Sequence, residues 1–171
     1  MKKYEFTGET KEIRLLFRTA TLHRIRATVA FGIVEVGDLG GWIEKEENLS
    51  HEGKAWVCGD AEVWGNAKVC GDAKVCGDAE VCGDAKVFSA SHVLVIGAIG
   101  SRNDFTTFYR DKDNEITVKC GCFLGKIDRF LEKVTQTHGD SKYALVYRAA
   151  VEVAKLQIDL SGEAPKDADE E

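Results

Sequence analysis

The residues from Ala55 to Val87 repeat with a strict period of six. Valine stands at 57, 63, 69, 75, 81 and 87, and alanine at 55, 61, 67, 73, 79 and 85. Glycine stands at 59, 65, 71, 77 and 83, each followed by Asp or Asn. A helical period of 3.6 would scatter these valines around a cylinder, so a helix is excluded here. A strand period of two puts Val, Gly and Ala of each hexad on one face. Cys or Trp, Asp, and Lys or Glu take the other face. The Gly-Asp or Gly-Asn pair after each short strand is turn chemistry, because both members tolerate unusual backbone angles. Identical short strands and turns in series must stack, since no single unit can bury its apolar face alone.

The pattern V-x-G-D-A-x resembles the hexapeptide repeat of left-handed parallel β-helices. That resemblance implies three hexads per triangular turn of about 18 residues, with handedness coming from the resemblance alone. The expected fold class is therefore mainly β: a short left-handed parallel β-helix (hexapeptide solenoid) with a small α+β C-terminal unit of two strands and two helices. An offset of about 18 predicts columns: Cys58 with Cys76, Trp64 with Cys82, Cys70 with Phe88, Glu62 with Glu80, Lys68 with Lys86. The segment "FGIVEVGDLGGWIEKEENLSHEG" predicts an irregular turn ahead of the hexads. A stack this short needs a cap at each end.

The flanks read differently. Residues 1–36 are expected to form one or two strands and a cap, and residues 37–100 the β-helix. Residues 101–160 are expected to form the α+β unit: strands over "TTFYR" and "EITVKCG" with a turn at Asp111–Asn114, then two helices. "KIDRFLEKVTQTHG" carries Ile127, Phe130, Leu131 and Val134 at helical spacing and ends on Gly139. Asp140 or Ser141 caps the second helix, whose stripe is Tyr143, Val146, Tyr147, Ala150, Val151 and Ala154. Residues 161–171, part of the acid-rich ending "DLSGEAPKDADEE", read as a disordered acidic tail.

Net charge is −6, which argues against a general nucleic-acid binder. The start of the chain has neither an apolar run nor a cleavage site of the secretory kind, and no segment approaches a membrane span. The expectation is a cytoplasmic protein with reduced thiols.

"TLHRIRA", "GDLGGWIEKEENLSHEG", the hexads and the ending "TTFYRDKDNEITVKCGCFLGKIDRFLEKVTQTHGDSKYALVYRAAVEVAKLQI" together resemble small hexapeptide-repeat, polymer-forming-like proteins of phages and prophages. The resemblance implies a phage accessory protein, a class in which many members counter host defences, acting in the host bacterial cytoplasm.

No catalytic set stands out, and no cofactor is expected. Acyltransferases of the hexapeptide type resemble the chain in the repeat only. His51 and His92 flank the repeat, but no extruded loop interrupts residues 53–93. The repeat cysteines are spaced by multiples of six and do not form the clusters zinc requires, and Cys120 and Cys122 lack a second pair. Acidic columns such as Glu62 and Glu80 raise nucleic-acid mimicry, but lysines interleave them. Arg14, Arg18, Arg24 and Arg26 are the most suggestive polar set, because arginine grips phosphate bidentately. With Trp42, Trp56 and Trp64 they are the candidate ligand- or partner-binding residues. The functional expectation is a non-enzymatic binding or inhibitor protein, a homodimer or homotrimer. Its partner is a host defence protein or a small phosphorylated nucleotide signal. The alternatives are an acyltransferase relative and a structural assembly module.

Overall fold

A computed structural model describes residues 1–162. The predicted acidic tail lies outside the described residues from position 163 on. The chain opens with a long antiparallel hairpin, β1 (Tyr4–Arg14) and β2 (Thr19–Ala27), followed by β3 (Leu39–Ile43). Six two-residue strands come next: β4 (Trp56–Val57), β5 (Glu62–Val63), β6 (Lys68–Val69), β7 (Lys74–Val75), β8 (Glu80–Val81) and β9 (Lys86–Val87). They precede β10 (Val93–Ile99), β11 (Asp104–Arg110), β12 (Ile116–Cys120), β13 (Phe123–Lys126), α1 (Ile127–His138) and α2 (Lys142–Gln157).

The fold-class expectation is corrected by the sheets. The largest runs β1-β2-β3-β5-β8 and is mixed, antiparallel through β3 and parallel beyond it. The next is a four-stranded antiparallel sheet, β10-β11-β12-β13, where two strands were expected. Parallel pairing between hexads occurs only as two-residue pairs divided among three sheets. A continuous left-handed parallel β-helix is therefore not the architecture of this chain. The physical reason is that a two-residue strand makes too little ladder to stand alone, and the long antiparallel strands at either end supply most of the pairing.

Within the hexads the local register follows the period. Trp56 pairs with Lys74, Glu62 with Glu80 and Lys68 with Lys86, each eighteen residues apart. Backbone N–H groups donate to the carbonyl of the tier below: Cys58 to Val75 at 2.9 Å, Glu62 to Ala79 at 2.9 Å, Cys70 to Val87 at 3.0 Å. The valines and alanines of the repeat point inward and are buried together with Ile43 and Leu49, which fill equivalent places in the irregular first tier. The glutamates stacked in register are neutralised from outside. Lys11 pairs with Glu62 at 2.5 Å and Lys119 with Glu80 at 3.3 Å.

The end tiers have no neighbour on their outer side, and buried backbone groups left there, carbonyl or N–H, need partners. At the first tier the Lys3 ammonium donates to the carbonyl of Ala55 at 2.8 Å, with those of Glu52 and Gly53 at 3.4 and 3.5 Å. The Tyr4 hydroxyl donates to the Leu49 carbonyl at 2.7 Å. Burial pushes the Lys3 ammonium down to about 8. At the last tier Glu80 N–H donates to Thr107 Oγ1 and Phe88 N–H to His92 Nδ1, both at 3.0 Å, while the Tyr109 hydroxyl donates to the Cys82 carbonyl at 2.9 Å. Donor side chains close the first tier, and acceptors and a donor together close the last.

Below the last tier, α1 lies against β12 and β13, and α2 against β10. Phe108, Val118, Phe130, Val134, Tyr147 and Val151 form a second core there. Gly139 ends α1, its N–H donating to the Thr135 carbonyl at 2.9 Å. Tyr143, expected on the buried stripe of α2, is instead exposed. Cys58 and Cys76, stacked with Cα atoms 4.6 Å apart, are joined by a disulfide, where the sequence reading left them as thiols. No helix of the described residues is long and apolar enough to cross a membrane.

Candidate functional site

The four arginines singled out by the sequence do not converge. Arg14 sits at the far end of β1, and Arg24 and Arg26 lie toward the other end of β2. At about 3.3 Å per residue, the five positions from Thr19, the partner of Arg14, to Arg24 span roughly 16 Å. Three of the four are also engaged. Arg18 forms a two-pronged pair with Glu44, and Arg26 pairs with Glu5. Arg24 donates to the Gly40 carbonyl and lies over the Trp42 ring, 5.4 Å from its centroid. The hydrogen bonds with Arg18 hold the Glu44 carboxyl below the usual range.

The tryptophans serve packing. Trp56 is buried against Tyr4 and Phe31, and Trp64 against Leu22 and Cys82. Trp42 is half-buried between Lys11 and Arg24. His51 and His92 are used by the caps. Each accepts a backbone N–H at Nδ1, from Lys3 at 3.1 Å and from Phe88 at 3.0 Å.

The site the structure assembles lies elsewhere, between the β12–β13 turn and the two helices. It is a cleft of about 230 Å³. Its apolar floor is Phe123, Phe130, Val134 and Tyr147, with Phe130 at the centre, 5.4 Å from Phe123 and 5.7 Å from Tyr147 between ring centroids. Its polar rim carries Ser101, Arg102, Lys133, Thr137 and His138, with Asp104 the one acidic group. Gly121 adopts φ +56°, which folds the hairpin turn so that Arg102 lies beside its backbone.

Each wall has a local cause. Phe130 and Val134 are on the inward stripe of α1, so Lys133 and Thr137 stand beside them at the rim. Tyr147 reaches across from α2, its ring stacked on His138 with centroids 5.8 Å apart. Burial, then the neighbouring Cys120 thiol, pushes the Tyr147 hydroxyl up to about 12, so it stays a neutral donor. Cys120 receives the Thr106 hydroxyl at 3.3 Å. A mostly apolar concavity with a few convergent polar groups is the usual form of a small-ligand site. Two cations against one carboxylate leave its rim with an excess of positive charge.

A second depression, of about 330 Å³, has no aromatic lining and gathers Lys45, Lys68, Lys86 and Lys112 with Glu47 and Asp84. Asp84 already pairs with Lys112 at 3.3 Å across it. Among the described residues no group of three or more His, Cys, Asp or Glu is placed to hold a metal ion.

Sequence reasoning missed the cleft because Arg102, Gly121, Lys133 and Tyr147 belong to four different elements and form no motif. The one available signal was the Gly-Cys-Phe turn between two strands that lead into an amphipathic helix. No known family model matches the chain, and no curated protein matches it significantly.

Proposed function

We propose that this chain is a binding protein whose ligand is a small anion bearing a planar ring, of the nucleotide class. The observation that carries the reading is the aromatic floor of Phe123, Phe130 and Tyr147 set beneath Arg102 and Lys133. Aromatic faces take a planar ring, and a guanidinium takes phosphate bidentately. The cleft has room for one ring and an anionic group, with the rest of a larger ligand left in the open mouth.

Binding is favoured over catalysis by the state of the side chains. The Tyr147 hydroxyl keeps its proton and the Cys120 sulfur accepts from Thr106, so neither is arranged as an activated nucleophile with a base. The two histidines that an acyl-transfer reading would use are held by cap hydrogen bonds. The phage-like motifs of the sequence support a role in sequestering a host nucleotide signal.

The test has two parts. Mass spectrometry of the denatured protein should release a nucleotide, and calorimetric titration of stripped protein with a panel of mono- and cyclic nucleotides should give saturable binding. Arg102→Ala and Lys133→Ala should each weaken it about tenfold or more, the worth of a charge-assisted contact. No heat with any nucleotide, or binding indifferent to both substitutions, overturns the reading.

A further inference from the structure

Helix α2 buries Ala144, Tyr147, Ala150, Val151 and Ala154 in the lower core. Its opposite face is apolar as well. Leu145 is 61% exposed, Val153 48% and Leu156 89%, and Ala149 is exposed between them. Spacings of four, four and three residues put these side chains on one stripe. Arg148 and Glu152 flank the stripe, Lys142 stands at its start, and Asp159 lies just past its end.

We propose that this face binds a second copy of the chain, the two α2 helices lying antiparallel about a two-fold axis that crosses the exposed stripe level with residues 150–151. The charges argue for that occupant and that direction. In the antiparallel register Leu145 meets the partner's Leu156, and Ala149 the partner's Val153. Arg148, which keeps a pair with its own Asp140 at 3.9 Å, then meets the partner's Glu152, which keeps one with its own Lys155 at 3.5 Å. Every one of these contacts occurs twice, as an isologous interface requires. A parallel pair would bring each flank against the partner's opposite one, setting Arg148 and Glu152 against Ala149 and Val153 with no opposite charge to meet. Hydrogen bonds from Arg148 Nη2 to the Gly139 carbonyl at 3.0 Å and Thr135 Oγ1 at 3.2 Å fix the guanidinium on this flank, and its five donors leave others for a partner. The small Ala149 lets the backbones approach near the axis.

The sixteen residues of α2 are about 24 Å long, so one face of it makes an interface below the standard size of about 1,600 Å². The association is correspondingly weak and reversible. It involves no residue of the cleft rim, so it stands or falls apart from the ligand reading.

The experiment is sedimentation velocity of the full chain from about 10 µM to about 1 mM, the range an interface of this size calls for. The expected result is a concentration-dependent monomer–dimer equilibrium. Leu156→Asp and Leu145→Asp should each weaken it at least about tenfold. Both side chains are exposed, so thermal melts should be unchanged. Arg148→Glu and Glu152→Arg should each weaken the dimer, and the double variant should regain it. A protein that stays monomeric throughout, a dimer indifferent to the leucine substitutions, or a double variant no better than the singles overturns the proposal.

Discussion

Replacing single turn glycines by alanine separates the stacking of the hexads from the conformation of their turns. Gly53, Gly59 and Gly77 have φ of +65°, +62° and +70°, all in the left-handed region. Alanine there costs about 1–2 kcal/mol in the folded state, and the stiffer unfolded chain returns about 0.4–1 kcal/mol. What differs is the space above the next tier. A Cβ on Gly77 would meet nothing within 4 Å, one on Gly59 would lie 3.2 Å from Gly77 N, and one on Gly53 only 2.7 Å from the Gly71 carbonyl oxygen. The last is a backbone clash that one tier can relieve only by moving off another, which adds about 1–3 kcal/mol. Gly77→Ala should therefore cost about 0.5–1.5 kcal/mol and Gly53→Ala about 2–4 kcal/mol, with Gly59→Ala between them. For a chain of this length each kcal/mol moves Tm by about 2–4 °C, so the drops are about 1–6 °C and about 4–16 °C. Circular dichroism melts at one pH and scan rate measure all three. Equal losses at Gly53 and Gly77, or a larger one at Gly77, would refute the tier geometry.

Three further outcomes follow from the same structure. Reducing the Cys58–Cys76 disulfide, which closes an eighteen-residue separation, should cost about 3 kcal/mol and lower Tm by about 6–12 °C; melts with and without reductant check it. Burial pushes the Asp111 carboxyl up, but Lys126, the Thr117 hydroxyl and the Glu115 and Asp113 N–H groups outweigh it and hold it below the usual range. Its contribution is thus present above the unfolded pKa of about 3.9 and lost as pH falls through the lower folded value. Lys126→Met should cost about 1–3 kcal/mol at neutral pH and flatten that acid loss, as urea unfolding across pH would show. Burial, then the Arg110 cation 3.2 Å away, lowers the His92 pKa, so stability should drop as pH falls below about 6.5 and through the folded value. His92→Gln should remove that step from the pH profile of Tm.

Much of the interior was legible because the period of six ties side-chain direction to position. The burial of Val63 and Val81, the pairing of Glu62 with Glu80 and the stacking of Cys58 on Cys76 all follow from counting. Helix α1 was equally plain, because Phe130 and Val134 recur at helical spacing before a glycine stop. Of the N-terminal strands only their presence was legible, not the length of the first or its pairing. In β1 most side chains on both faces are exposed or only half-buried, so "YEFTGETKEIR" shows no alternation to read. The hairpin it forms then covers Trp64 and Cys82, which by position in the hexad should face water. That same covering turns two of the candidate tryptophans into core. The arginines misled for a related reason, since Glu44 and Glu5 lie next to Arg18 and Arg26 only after β2 and β3 pair with their neighbours. The cleft was invisible because its rim and floor come together only when α1 and α2 fold under the four-stranded sheet.

Amide chemical-shift mapping of the full chain with a ring-bearing nucleotide is the most direct measurement. The prediction is that perturbations centre on Arg102, Gly121, Cys122, Lys133 and Tyr147. Shifts centred instead on Lys45, Lys68 and Lys112, or along Arg24 and Trp42, or none at saturating nucleotide, would contradict it.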